Sequence, residues 1–266
     1  MLKRHHKTEA LILKASPYGE GHTIVTALTS GGAQLKAMAY GSRKLTSRIG
    51  GHLSPLTRVE LALYKSRDMD IIKQAQNLES FLELKNSLSR MTKAFFVMEL
   101  IEGFSNTGVG NRPLFDLSLM SLRGLQSSSN RDIEDLTVSC FQLNLLKVTG
   151  FMPELYTCVE CRSSLNSNNY NFIIDIGGLC CTKCLSGHPG RAINISSKSV
   201  EILRQFDKGG TLFSELPLGS TVELRRLLDS STGFWLDREI RSRRFMEHMN
   251  SRDIREPMSA IDMESV

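Results

Sequence analysis

The sequence predicts a mixed α+β protein in several parts: a small N-terminal β-barrel, an all-helical C-terminal body, and a cysteine-paired insert within that body. Three observations predict it. Short strand-like hydrophobic runs fill residues 1–77, apolar spacings of three and four follow over 78–250, and two Cys-x-x-Cys pairs interrupt the helical pattern within 157–190.

In the first segment, Ala10 to Leu13, Thr23 to Leu28 and Leu35 to Tyr40 are short apolar runs separated by Pro17-Tyr18-Gly19 and by Ser30-Gly31-Gly32. Leu56 to Tyr64 alternates, with Val59, Leu61 and Leu63 on one face and Arg58, Glu60, Ala62 and Tyr64 on the other. A last strand is expected through Met69 to Ile72. Five short strands in so short a segment suit closure into a barrel, because closure removes exposed sheet edges. Gly41 to Pro55 is too polar and Gly-rich for a strand and reads as a long basic loop.

After Asn77 the period changes. Leu78, Phe81, Leu82 and Leu88 predict one helix, and Phe95, Met98, Ile101 and Glu102 another. Gly103 to Pro113 reads as a loop, and Leu114 to Leu125 resumes helical spacing with Pro113 in its first turn. Ile133, Leu136, Cys140, Leu143 and Lys147 continue the pattern to Gly150. Beyond the insert, Ser196 or Ser197 is expected to cap a helix through Phe206, and further helices are expected over Val222 to Leu228 and Trp235 to Met249. The tail, 251–266, has little apolar content and is expected to be disordered.

Composition narrows the function classes. No run approaches the roughly 18 apolar residues of a membrane span, so no membrane partner is expected. The basic start Met1-Leu2-Lys3-Arg4-His5-His6-Lys7 is followed by no apolar signal core, so a cytoplasmic location is expected. In that reducing compartment six cysteines read as metal ligands or buried thiols. The net charge of +5 is uneven: residues 1–75 carry +7 and the remainder −2. That asymmetry points to a polyanionic partner at the N-terminal end.

The strongest chemical signal is Cys158-Val159-Glu160-Cys161 followed by Cys181-Thr182-Lys183-Cys184, with 19 residues between the pairs. Two residues between cysteines let a tight turn aim both sulfurs at one ion, and two facing turns complete a tetrahedron. The spacing therefore predicts one structural zinc ion held by Cys158, Cys161, Cys181 and Cys184. Cys180 competes with Cys181, since it gives a gap of three rather than two to Cys184; the gap of two is preferred. Gly177-Gly178 suits the chain reversal before the second turn, and Phe172-Ile173-Ile174 the strand leading to it. Cys140 falls on a helical apolar face and reads as a core thiol; His188 reads as a loop residue.

Enzyme signatures are missing. The sequence has no phosphate-binding loop, nucleophile elbow or His-Glu-x-x-His motif, and Gly108-Val109-Gly110 is spoiled as a dinucleotide pattern by Pro113. A binding protein, not an enzyme, is expected. In Tyr40-Gly41-Ser42-Arg43-Lys44-Leu45-Thr46-Ser47-Arg48, three cations interleaved with hydroxyls can neutralise several phosphates. Arg43, Lys44 and Arg48 are the candidate nucleic-acid phosphate ligands, extended by Lys36 and Arg58 on the flanking strands. Tyr18, Tyr40 and Tyr64 offer at most three stacking faces, so contact should be mainly electrostatic. Arg238, Arg241, Arg243 and Arg244 read as a solvated helix face.

The ordered motifs resemble the RecO family. Pro17-Tyr18-Gly19-Glu20, Tyr40-Gly41-Ser42-Arg43-Lys44, Ser47-Arg48 and Leu53-Ser54-Pro55 are similar to its N-terminal oligonucleotide-binding (OB-type) barrel. Pro113-Leu114-Phe115-Asp116-Leu117, Gly150-Phe151-Met152-Pro153, the two cysteine pairs with Gly177-Gly178, and Arg238-Glu239-Ile240-Arg241-Ser242-Arg243 continue the likeness over about residues 8–248. The same likeness settles the ligand choice on Cys181. It implies a bacterial, nucleoid-associated recombination mediator that binds single- and double-stranded DNA and anneals complementary strands. The implied partners are RecR, single-stranded-DNA-binding protein and, indirectly, the RecA recombinase. The alternatives are an RNA-binding or transcription-associated zinc-ribbon protein and, further off, a zinc-dependent hydrolase.

Overall fold

The computed structural model describes residues 5–165, 169–188, 190, 192–209, 219–236 and 240–243. Five strands, β1 (His5–Tyr18), β2 (His22–Thr29), β3 (Gln34–Ala39), β4 (Thr57–Tyr64) and β5 (Asp70–Glu79), form a closed sheet in the order β1-β2-β3-β5-β4. β1 is long enough to serve two neighbours. It pairs with β4 from His5 to Ile12 and with β2 from Ala10 to Tyr18, with a register shift between Ile12 and Lys14 where it changes partner. β3 closes the sheet against β5 in parallel, Ala37 opposite Asp70 and Met38 opposite Ile71. Inside, Ala10, Ile12, Val25, Ala27, Ala37, Ala39, Val59, Leu61, Leu63 and Ile72 form the core. Val59, Leu61 and Leu63 share one face of β4, as the alternation predicts, and that face is the inward one.

β5 differs from expectation. It runs to Glu79, not Ile72, and takes in Leu78, which the helical spacing had assigned to the first helix; it also passes the expected boundary at residue 77. The stretch Lys73-Gln74-Ala75-Gln76-Asn77 lacks hydrophobic alternation because much of it faces water, and backbone pairing with β4 holds it extended.

The body comprises α1 (Leu82–Lys85), α2 (Leu88–Phe104), α3 (Arg112–Ser127), α4 (Arg131–Val148), α5 (Ser197–Asp207) and α6 (Ser220–Leu236). Local chemistry explains the starts. The side chains of Ser87, Asn111, Asn130 and Ser196 accept from the backbone N–H groups of Arg90, Leu114, Ile133 and Ser199, each satisfying a donor the helix leaves open. Ser196, of the two candidates, is therefore the cap of α5. Phe81, at φ 47°, breaks the chain between β5 and α1, so the single helix expected through Leu78 and Leu88 is instead a strand end and two helices. α6 spans the expected Val222–Leu228 helix and absorbs Trp235. Residues 241–243 are helical, while 244–249 and the tail 251–266 lie outside the described residues.

The barrel is docked on the body. Leu11, Leu13, Leu28 and Leu56 share one core with Phe81, Phe96, Leu100, Leu114 and Phe141. At the β2–β3 turn, the Gln34 N–H donates to Asn106 O at 3.0 Å and its Nε2 to Glu102 O at 3.1 Å. Gly32 has φ +78°, and a Cβ there would lie 1.8 Å from Asn111 O, so only glycine permits this approach. Within the body, buried Lys93 pairs with Glu134 at 2.9 Å and Asp135 at 2.8 Å, tying α2 to α4. A second sheet, β6 (Asn169–Ile173), β7 (Gly178–Cys180) and β8 (Ala192–Ser196), has the order β7-β6-β8. Its Phe172 and Leu179 share a core with Leu136, Leu143, Phe206, Leu224 and Leu227 of α4, α5 and α6. The cysteine segment is therefore built into the helical body.

Candidate functional site

The first site is the four-cysteine cluster. Its first turn, Cys158–Cys161, lies against β7: Val159 N–H donates to Leu179 O, and Leu179 N–H to Glu154 O, both at 2.9 Å. Arg162, at φ +58°, closes that turn by donating its N–H to Cys158 O at 3.0 Å. The second turn, Cys181–Cys184, is closed by Leu185 N–H on Cys181 O at 3.1 Å. Gly178 makes the contact between them possible, since a Cβ there would lie 2.5 Å from Val159 Cγ1 and 2.8 Å from Glu154 O.

These turns bring the four sulfurs within 4.8 Å of one another. An ion held tetrahedrally by sulfurs at about 2.3 Å requires neighbouring sulfurs about 3.8 Å apart. Cys161 Sγ and Cys181 Sγ lie 3.8 Å apart, so the residues fit a structural metal ion. Burial pushes the Cys158 thiol up, but backbone N–H groups of Cys181, Cys161 and Glu160 outweigh it and bring the group down to about 6. The neighbouring sulfurs of Cys181 and Cys161 push Cys184 up to about 12. Sulfurs this close resist simultaneous ionisation until a cation offsets their charge, which is the condition metal binding meets.

The remaining candidates fall where their chemistry places them. Cys180 is buried on β7 in the shared core, and burial, then the charge of Cys158, pushes it up to about 11. Cys140 packs against the same core, and burial likewise pushes it up to about 11. His188 Nε2 lies 3.1 Å from Glu160 Oε1, and His188 is not part of the sulfur cluster.

The second site is the outer face of the barrel. The loop from β3 to β4 folds back on the β1–β2 turn. Ser42 is buried with its Oγ 2.7 Å from Thr23 Oγ1; Arg43 donates its N–H to Gly21 O at 3.2 Å and its Nη1 to Gly19 O at 3.3 Å. His22 Nδ1 accepts from Gly41 N–H at 2.9 Å while its ring meets Tyr40 edge-on at 5.1 Å. Ser47 Oγ accepts from the N–H of Gly50 at 3.1 Å. The loop is thus pinned at its base, and it presents Arg43, Lys44 and Arg48 as exposed cations with no ion pair among the described residues. Lys36 is exposed on β3, opposite Thr26 of β2.

Arg58 is elsewhere and already engaged. Its Nε lies 2.6 Å from Glu9 Oε1 and its Nη1 3.5 Å from Glu79 Oε2. Glu79 also receives Arg123 of α3 through two bonds, at 3.0 and 2.7 Å. This four-charge cluster fastens the barrel to α3, and the Arg58 guanidinium is held above its usual range chiefly by its bond to Glu9. Lys65, Arg67 and Lys73, which the sequence reading counted only as bulk charge, are exposed on the β4–β5 turn and the start of β5. Since Asp70 and Ile71 pair with Ala37 and Met38, that turn adjoins the strand carrying Lys36. The parallel pairing of β3 with β5, which leaves no trace in the sequence of either strand, is what brings them together. Of the arginines near the C-terminus, Arg241 is exposed with its backbone N–H on Glu99 Oε1 at 2.9 Å, and Arg243 Nε lies 3.9 Å from Asp229. Arg238 and Arg244 lie outside the described residues.

Fold and sites together define a class: a small closed barrel with a basic outer loop, docked on a helical scaffold that carries a four-cysteine centre. The chain belongs to the RecO family, whose role is in DNA repair and recombination. The model of the recombination protein O N-terminal region matches residues 1–81, and that of the C-terminal region residues 85–244. Its relatives include the DNA repair protein RecO of Dehalococcoides mccartyi strain BAV1, 30% identical over 89% of this chain and 97% of that protein. That of Roseiflexus sp. strain RS-1 is 31% identical over 93% of this chain and 87% of that protein, and that of Bacillus velezensis 27% over 92% and 95%. No helix among the described residues is long and apolar enough to cross a membrane.

Proposed function

We propose that this protein is a non-enzymatic recombination mediator that binds single- and double-stranded DNA through its barrel, anneals complementary strands, and acts with RecR to help load RecA onto strands coated by single-stranded-DNA-binding protein. The observation that carries this reading is the loop pinned to the β1–β2 turn with Arg43, Lys44 and Arg48 held outward. Clustered cations on a fixed loop bind phosphates without sequence preference, which is what annealing of arbitrary strands needs. The strand order β1-β2-β3-β5-β4, with β3 parallel to β5, supports the OB-type assignment. In this reading the barrel, extended to Glu79, is the DNA-binding domain, and the helical domain to about residue 250 holds the 157–190 insert as a brace. Lys36 extends the DNA surface; Arg58 belongs to the barrel–body junction.

The four cysteines hold one zinc ion in this reading. A closed set of four sulfurs leaves no ligand position for water, so zinc serves the fold, contributing on the order of 10 kcal/mol to local folding. Purified protein is expected to carry about one zinc per chain; metal-free protein with native helix content would refute this. The functional test is annealing of complementary strands coated with their binding protein. Acceleration by this chain is expected. No acceleration, with equal or tighter binding to RNA, would favour an RNA-binding or transcription-associated role.

A further inference from the structure

Leu45 stands at the centre of the basic loop, between Lys44 and Arg48, and its side chain is wholly exposed at 108%. The next most exposed large apolar residue among those described, Leu82, reaches 67%. An apolar side chain fully in water gains nothing from the fold, and its burial elsewhere is favourable. This one is held out by its surroundings. Ser42, Arg43 and the Gly41–Tyr40–His22 contact fix the base of the loop on one side, and Ser47 fixes it on the other. Lys44 N–H on Gly41 O at 3.1 Å and Ser47 N–H on Lys44 O at 2.9 Å turn the chain just before and after Leu45. The Lys44 stem also lies close along Gly21, where a Cβ would meet its Cε at 3.6 Å.

The occupant follows from charge and shape. Arg43, Lys44 and Arg48 flank the leucine along the loop as exposed cations with no ion pair among the described residues, so the surface that receives it is a polyanion with apolar faces within reach of its phosphates. Stacked bases meet that description. Proteins insert leucine and similar wedges between base steps, at an unstacking cost that is least where pairing is already interrupted. Tyr40, 56% exposed and braced by His22, offers a stacking face at the foot of the same loop.

We propose that Leu45 is a wedge that enters between bases where single strand meets duplex, while Arg43, Lys44 and Arg48 hold the flanking phosphates. The inference rests on the DNA-binding reading above and adds to it a preference for junctions. The test uses forked and fully single-stranded oligonucleotides carrying 2-aminopurine at the junction position, with the full chain and its Leu45→Ala and Leu45→Met variants. Leu45 touches no core, so neither variant threatens the fold. Wild type is expected to raise the fluorescence of the fork and to prefer it to single strand. Leu45→Ala should lose the signal and roughly tenfold of that preference, as one leucine's burial is lost, and Leu45→Met should keep both. The salt dependence of Leu45→Ala should match wild type, because no charge has changed. Unchanged fluorescence and preference in Leu45→Ala overturn the wedge while leaving DNA binding standing. Failure of wild type to bind either oligonucleotide overturns the underlying reading instead. Binding to phosphatidylserine vesicles that Leu45→Ala abolishes, with DNA behaviour unchanged, overturns the proposal in favour of a lipid surface.

Discussion

Replacing Arg43, Lys44 and Arg48 together by Ala tests the electrostatic argument quantitatively. Each cation that neutralises a phosphate of single-stranded DNA releases about 0.7 of a counterion, so three contribute about 2.1 to the slope of log affinity against log salt. Between 50 and 200 mM salt that slope difference amounts to about a 20-fold change in affinity. The triple variant should therefore bind more weakly at low salt and lose about 20-fold less of its affinity over that range than wild type. The assay is fluorescence anisotropy of a labelled oligonucleotide at four or more salt concentrations. Arg58→Ala is the internal control: its charge is already matched by Glu9 and Glu79, so the slope should scarcely move. A triple variant whose slope equals that of wild type, or an Arg58→Ala slope that falls as far, refutes the assignment of the free cations to DNA.

Two further outcomes concern stability. Gly32→Ala combines a left-handed backbone with a Cβ 1.8 Å from Asn111 O, and should cost roughly 2–5 kcal/mol. Gly108→Ala has a similar φ of +80° but open space around it, and should cost only about 1–2 kcal/mol; equal costs in denaturant titrations would deny the tight barrel–body approach. Glu79 is held below the usual carboxylate value of 4.5, chiefly by its bond to Arg123 against an opposing effect of burial. Its stabilising contribution is therefore complete above about pH 4.5 and is lost as the pH falls through the lower folded value. Glu79→Gln should lower stability at neutral pH and narrow its gap from wild type as the solution is acidified, read from unfolding midpoints across that range. A gap that stays constant with pH would show that the ion pairs contribute nothing.

Much of this molecule was legible because its signals are local. The two-residue gaps in Cys158-x-x-Cys161 and Cys181-x-x-Cys184 set turn geometry within a few residues, and the four sulfurs converge as that spacing requires. Short apolar runs, alternating in Leu56 to Tyr64, placed β2, β3 and β4 nearly in full but caught only Ala10 to Leu13 of the fourteen-residue β1, whose polar ends are held extended by pairing with β4 and β2. Apolar spacing of three and four, punctuated by Pro113 and Gly150, did the same for α3 and α4. β5 escaped because its length is maintained by the backbone of β4, and a pairing partner leaves no periodic trace in a polar strand.

The sequence by itself determined the two cysteine turns, the basic loop and the change from strands to helices, since each depends on neighbours along the chain. Only the tertiary structure decided which cations remain free. Arg58 and Arg43 look alike in sequence, yet Arg58 meets Glu9 and Glu79, 49 and 21 residues away, while Arg43 meets, among the described residues, carbonyls of the β1–β2 turn. It also decided that the cysteine insert shares a core with α4, α5 and α6, and that Leu45 joins no core among the described residues. Charge pairing and burial depend on distance through space, and folding sets those distances between segments whose order along the chain does not encode them.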